Sequence, residues 1–257
     1  MTATTIDVTT IAAMSHHEAM NLQATELERT IALLRSFDVH DWEARTDCPD
    51  WDVRAMYQHV LGACEAGASM QENLHQLHRA RAHRRRLGGP LEAALSSVQV
   101  NERADLDPAA LIHRMEVISP KTVRGRNRIP ALVRDHATLK VDGPVFERWK
   151  LGYLIDTIYL RDMWMHRVDA SRATGRHLEL SADHDGRIVA DVVAEWARRH
   201  AQPFVLELTG IAGSNYVGES VTPGGASLVW SLDAVEFCRT LAGRSPASGL
   251  LATIVPF

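Results

Sequence analysis

From Ser15 to about Arg176, apolar residues recur at intervals of three and four with almost no alternating β-branched positions, which is the signature of amphipathic helices. The spacing predicts helices near 15–36, 51–85, 90–103, 108–117 and 146–171. Past Ala201 the pattern changes. FVLELT (Phe204 to Thr209), SLVW (Ser227 to Trp230) and LLATIV (Leu250 to Val255) read as short strands, separated by turns such as TPGG (Thr222 to Gly225). One helix, DAVEFCRTLAG, interrupts them, with Ser231 or Asp233 as its cap and Gly243 just past its end. The expected fold class is therefore mainly α plus a small α+β part: a helical bundle over 1–176, then a small α+β domain over 177–257, joined between Gly175 and Asp183.

Composition narrows the function classes. A chain of 257 residues with 46% hydrophobic and 23% charged residues has the make-up of a folded protein rather than a disordered or fibrous one. A formal net charge of −4 supplies no general field for polyanions, so nucleic acid is not expected as a partner. The start lacks the charged leader and apolar run of a signal peptide, and no stretch approaches the ~20 apolar residues of a membrane span. A cytoplasmic protein without a membrane partner is expected. Cys48, Cys64 and Cys238 lie far apart without any CxxC, which argues against a disulfide framework or a thiolate zinc knuckle and reads as three structural cysteines. A metal site here must use histidine and carboxylate. The run RARAHRRR (Arg79 to Arg86) before GGP suits the negative end of a helix dipole and a helix stop.

The chemistry concentrates on LGYLIDTIYLRDMWMHRVD, Leu151 to Asp169. At 100° steps Leu151, Ile155, Ile158, Asp162, His166 and Asp169 share one stripe, so an inward apolar face continues as carboxylate, imidazole and carboxylate. Burying an unpaired carboxylate is costly, and something must compensate it. Asp162 and His166, four apart, project from successive turns toward one point. His59 is the best third group: Ala55, Gly62, Ala63 and Ala66 surround it on its helix and leave space around an imidazole. Two readings stay open on spacing alone, a divalent cation or a buried His–Asp ion pair. Asp169 either accepts the free N–H of the His166 ring or pairs with Arg167 or Arg172. Trp51 and Trp164 read as core, and the pairs His16/His17 and His75/His78 as solvated surface histidines.

The segment W-x3-T-x-CPDW-x-VR-x4-H, here Trp42, Thr46, Cys48 to Trp51, Val53, Arg54 and His59, resembles the N-terminal signature of the mycothiol-dependent maleylpyruvate isomerase family. RDMWMHRVD, Arg161 to Asp169, resembles that family's second signature, and AGR, Ala242 to Arg244, resembles the end of its small α+β domain. The resemblance implies a DinB-like four-helix bundle that binds zinc, or another divalent metal, through His59, Asp162 and His166, with an open position for water or a thiol. It also implies mycothiol as thiol cosubstrate, held as thiolate, and a small electrophilic substrate that is isomerised or receives the sulfur. Asp162 stands where the isomerase is similar but carries Glu, one methylene longer. The family uses an arginine of the small domain, and Arg244 is the candidate to clamp a substrate carboxylate. The chain is expected to act as a monomer or homodimer. The alternatives are a zinc-dependent hydrolase of small amides or esters, and a non-catalytic ligand-binding member of the same scaffold.

Overall fold

The computed structural model describes residues 5–142, 146–218 and 228–257. The chain forms two compact units, Ser15–Leu178 and a discontinuous one made of Met1–Met14 with Glu179–Phe257. The expected turn at Thr222 to Gly225, and Ser227 of the expected strand SLVW, lie outside the described residues.

The chain opens on strand β1 (Thr5–Asp7) and then enters the helical unit. Helix α1 (His16–Arg35) starts on a capping box, in which the Ser15 hydroxyl accepts from the Glu18 N–H while the Glu18 carboxylate accepts from the Ser15 N–H. Helix α2 (Val53–Ala68) is capped by Asp52, which accepts from Ala55 N–H. The single helix expected over 51–85 is in fact two, because Ser69 takes an extended conformation and caps the next helix, α3 (Met70–Leu87), by accepting from Glu72 N–H. Gly88, at φ 76°, stops α3 after Arg84, Arg85 and Arg86, as the basic run before GGP predicts. Helix α4 (Leu91–Asn101) follows Pro90.

Helix α5 (Pro108–Asn127) runs ten residues beyond its expected end and carries Pro120 inside it. The missing N–H of Pro120 costs a helical bond. Flanking hydroxyls bind the helix on either side: Ser119 donates to the Met115 carbonyl at 2.6 Å and Thr122 to the Cys64 carbonyl of α2 at 2.7 Å. Close packing also favours continuation, since a Cβ on Gly125 would fall 2.2 Å from the Gly67 carbonyl oxygen of α2.

After α6 (Ala131–His136), residues expected to begin a helix at 146 form a hairpin of β2 (Thr138–Asp142) and β3 (Phe146–Lys150). The β3 segment FERWK alternates exposed and half-buried positions, a period of two that a helical reading overrides. Helix α7 (Leu151–Tyr153) passes through a π-helical stretch, Leu154–Ile158, into α8 (Tyr159–Thr174), which Gly175 ends at φ 69°. Helices α1, α5, α2 and α8 pack in that cyclic order as a four-helix bundle. Leu27, Leu34, Met56, Tyr57, Val60, Leu111, Met115 and Met163 fill its core.

The second unit holds a four-stranded sheet in the order β1–β5–β4–β6, with β4 (Phe204–Thr209), β5 (Asn215–Val217) and β6 (Leu228–Asp233). Strand β4 coincides with FVLELT and buries Phe204, Leu206 and Leu208 on one face. Helix α9 (Arg187–His200), absent from the expected elements, and α10 (Ala234–Leu241), capped by Asp233, belong to this unit. Trp196 of α9 meets Phe204 at 4.8 Å and Phe237 of α10 at 5.3 Å between ring centroids. The expected strand LLATIV does not form. Its first half is a 3-10 turn, Gly249–Ala252, and the Leu250 carbonyl is engaged by the Trp196 indole N–H at 2.9 Å rather than by a strand neighbour.

Candidate metal centre

The loop before α2 is built by the residues of the first motif. The Thr46 hydroxyl donates to the Trp51 carbonyl at 2.9 Å and accepts from Cys48 N–H at 3.1 Å, closing a tight turn around Pro49. Trp42 and Val53 enter the core, and the Arg54 guanidinium clasps the Leu106 carbonyl at 2.6 Å. These contacts fix how Trp51 and the first turns of α2 stand. The Trp51 indole then stacks on the His59 imidazole, with centroids 4.9 Å apart and 30° between planes. Trp51 is at once part of the core margin and one wall of the site.

Bundle packing brings His59 of α2 against Asp162 and His166 of α8. His166 Nε2 lies 3.3 Å from Asp162 Oδ1, and His59 Nε2 lies 3.8 Å from Asp162 Oδ2. The two imidazoles meet edge to face at 5.5 Å. Donor atoms of the three residues lie within 4.8 Å of one another, wider than the roughly 3.3 Å that separates donors placed tetrahedrally on zinc but within reach of small side-chain movements. Asp162 is 26% exposed while His166 is 5% exposed, so the cluster opens to solvent on the carboxylate side.

Behind His166 stands a second layer. Asp169, wholly buried, places Oδ2 3.6 Å from His166 Nδ1, and the Cys48 thiol lies 4.0 Å from the same nitrogen and 3.8 Å from Asp169 Oδ2. Arg167 goes instead to Glu26, and Arg172 approaches Asp47 at 4.0 Å. Asp169 therefore stands where the free N–H of the His166 ring needs an acceptor. Cys48, expected to be purely structural, belongs to this layer. Burial works against charge on Asp162, but His166 and then His59 beside it hold its carboxyl well below the usual carboxylate range. Burial likewise pulls His166 down, and Asp162, followed by Asp169 and Cys48, lifts it well above its ordinary value.

The donor set fits a cation. His166 Nε2 is buried and makes no hydrogen bond, although Asp162 is close. A structural ion pair would aim its N–H at the carboxylate, as Arg167 does toward Glu26 at 2.6 and 3.0 Å. Once its proton is displaced, the ring directs an Nε2 lone pair at a space bordered by a carboxylate and a second imidazole, an arrangement that a divalent ion satisfies.

The space around His59 is not what its small neighbours suggest. A Cβ on Gly62 would fall 2.6 Å from Gln99 Cβ, and one on Gly67 would fall 2.8 Å from Arg126 Nε. The small residues of α2 admit α4 and α5 closely rather than leaving a cavity. Gln99 uses that approach to place its Oε1 2.8 Å from His59 Nδ1. Nothing in the sequence around Gln99 marks it, since an amide between Val98 and Val100 has no motif. The other histidine pairs hold no such cluster: His75, 48% exposed, meets Glu102, and His17 is exposed. His16 departs from expectation, being half-buried and paired through Nδ1 with Asp156 at 2.6 Å. Arg244 belongs to the other unit, where it follows α10 and reaches the Ala242 carbonyl at 3.4 Å.

The family described as the mycothiol maleylpyruvate isomerase N-terminal domain matches residues 24–171. The chain belongs to this family. The matched span of the mycothiol maleylpyruvate isomerase N-terminal domain contains His59, Gln99, Asp162 and His166, and ends before Arg244. Crystal structures of the mycothiol-dependent maleylpyruvate isomerase share the fold. One is similar at 16% identity with a TM-score of 0.58, and a histidine-to-alanine variant at 15% with 0.57, each alignment covering 90% of both chains. No curated protein matches the sequence. No helix among the described residues is long and apolar enough to cross a membrane.

Proposed function

We propose that this protein is a metal-dependent enzyme that uses a low-molecular-weight thiol, mycothiol, to isomerise a small electrophilic substrate or to transfer sulfur to it. The observation that carries this reading is the buried, unbonded Nε2 of His166, directed at the space between Asp162 and His59. Membership of a family named for a mycothiol-dependent isomerase supports the choice of thiol. His59, Asp162 and His166 would hold zinc, which when bound keeps a thiol as thiolate near neutral pH.

The chain's own residues supply the rest. Asp169 holds a proton on His166 Nδ1, so that Nε2 keeps its lone pair toward the site. Trp51 covers one face of His59 and excludes water there. Asp162, the most exposed of the three, lies at the side from which a thiol and a substrate arrive. Asp162 is one methylene shorter than the Glu of the isomerase that the sequence resembles, and the proposal therefore spans isomerisation and sulfur transfer as one class of thiol addition. Arg244 is assigned to bind a substrate carboxylate through its planar fork.

Maleylpyruvate turnover with and without mycothiol, followed by product analysis, tests the reading. Thiol-dependent formation of the trans isomer, or of a thioether conjugate, is expected, with loss in His166→Ala. Turnover at full rate without thiol would refute it. Arg244→Lys should raise KM for a carboxylate substrate about tenfold or more while zinc stoichiometry stays at one. An unchanged KM would remove Arg244 from substrate binding.

A further inference from the structure

The protonation pattern of His59 is fixed by residues that never touch the proposed metal, and it follows from the far end of a hydrogen-bond chain. Gln76 of α3 donates from Nε2 to the Gly62 carbonyl at 3.0 Å and to the Glu72 carboxylate at 2.8 Å. Both partners only accept, so the nitrogen and not the oxygen of the Gln76 amide must face them. Its Oε1 is thereby turned to Gln99, which must present Nε2, 3.0 Å away. Gln99 then has only its Oε1 left for His59 Nδ1 at 2.8 Å, and only an Nδ1–H satisfies that oxygen. A neutral imidazole protonated at Nδ1 carries its lone pair on Nε2, the atom facing Asp162.

The relay is shielded. Gln76 is 0% and Gln99 3% exposed, so water does not compete for their amides. Glu72 is anchored as an acceptor by Arg103, whose Nη2 lies 3.0 Å from it. Gly62 serves twice, offering its carbonyl to Gln76 and, by lacking a Cβ, letting the Gln99 side chain reach His59.

We propose that Gln99 and Gln76 are positioning residues which, with Glu72 and the Gly62 carbonyl as terminal acceptors, lock His59 in its Nδ1–H form and commit Nε2 to the metal. The metal half of this statement rests on the function proposed above; the tautomer lock rests on the relay alone. His166 instead faces a carboxylate directly, with Asp169 Oδ2 3.6 Å from its Nδ1, whereas His59 is held by a neutral amide.

The test uses the full-length protein. Long-range proton–nitrogen correlation spectra of histidine-labelled, metal-free protein, at a pH where His59 is neutral, should show the Nδ1–H tautomer. Gln99→Met, close in shape and lacking an acceptor, should give a tautomer mixture and weaken zinc, measured by chelator competition, about 10- to 100-fold. Gln76→Met, which leaves His59 untouched, should shift the populations part of the way. A mixed or Nε2–H tautomer in the wild type, or an unchanged tautomer in Gln99→Met, overturns the lock. If Gln99→Met does not fold, the wild-type and Gln76→Met spectra decide alone. A wild type with the Nδ1–H tautomer and no zinc affinity would overturn the metal half and leave the lock standing.

Discussion

His166 and Arg167 are neighbours on α8, both almost wholly buried, yet the bundle treats their polar atoms in opposite ways. On one side Arg167 meets Glu26 in a two-bond fork at 2.6 and 3.0 Å, with 1% and 0% of the two side chains exposed. On the other side His166 keeps Nε2 without a hydrogen bond beside a carboxylate that is partly exposed. The first arrangement is a forked ion pair with aligned hydrogen bonds between opposite charges. The second holds a proton that is poorly aligned with its carboxylate and that a cation can displace, and the lone pairs it then exposes are what separate a ligand set from an internal ion pair.

The largest effect that would sharpen this contrast is expected at the forked pair. Arg167→Met removes the forked guanidinium from the buried Glu26 carboxylate and should cost about 3–5 kcal/mol in urea unfolding, with one zinc per folded chain retained. If stability holds while zinc is lost, the two sides have been assigned the wrong way round. His166→Ala should do the reverse: zinc affinity falls at least about 100-fold, close to 2.7 kcal/mol, and the metal-free fold persists by far-UV circular dichroism. Retention of stoichiometric zinc in that variant removes the site.

A smaller effect follows from protonation. In the metal-free protein the lowered Asp162 contributes stability that is fully present above its reference value of 3.8 and lost as pH falls through its folded value. The raised His166 contributes stability that is fully present below 6.5 and lost as pH rises through its own folded value. Metal-free stability from this pair should therefore be greatest between pH 3.8 and 6.5, while zinc affinity rises with pH because the ion competes with the proton on His166. Thermal melts with and without zinc across that range measure both trends, and a zinc affinity that did not change with pH would count against His166 as a ligand. The smallest effect is expected at Cys48. Its sulfur, His166 and Asp169 form a second group of donor atoms within 4.8 Å, but they gather at Nδ1, away from the unbonded Nε2. Cys48→Ser should change zinc affinity by no more than about threefold; a loss comparable to that of His166→Ala would move the ion to the Cys48 side.

The helical bundle was legible because its periodicity is long and consistent, as α1 shows, and β4 from its short alternating run. The failures come from local caps and from contacts that periodicity does not carry. Ser69 splits a helix because its hydroxyl finds Glu72, and α5 outlasts Pro120 because Gly125 and Gly67 let two helices touch. The β3 strand hides in an apolar pattern that continues into a true helix, and LLATIV is diverted by Trp196. In the site, the meeting of Asp162 and His166 was legible from their four-residue spacing, whereas His59 was picked from small neighbours that in fact admit α4 and α5, and from the motif before it. Gln99 and Gln76 were not, because an amide relay leaves no periodic trace.

Strand β1 pairs with β5 through Thr5 and Asn215, so the sheet of the second unit joins segments that lie on either side of the helical unit in the chain. During synthesis the helical unit, contiguous from Ser15 to Leu178, emerges whole while β1 waits. At ~5–20 residues per second that wait lasts on the order of 10–40 seconds. The β5 edge closes only when the β1 segment is still free to reach it, so a bulky domain inserted directly ahead of β1 should delay maturation of the sheet and leave the timing of the bundle unchanged.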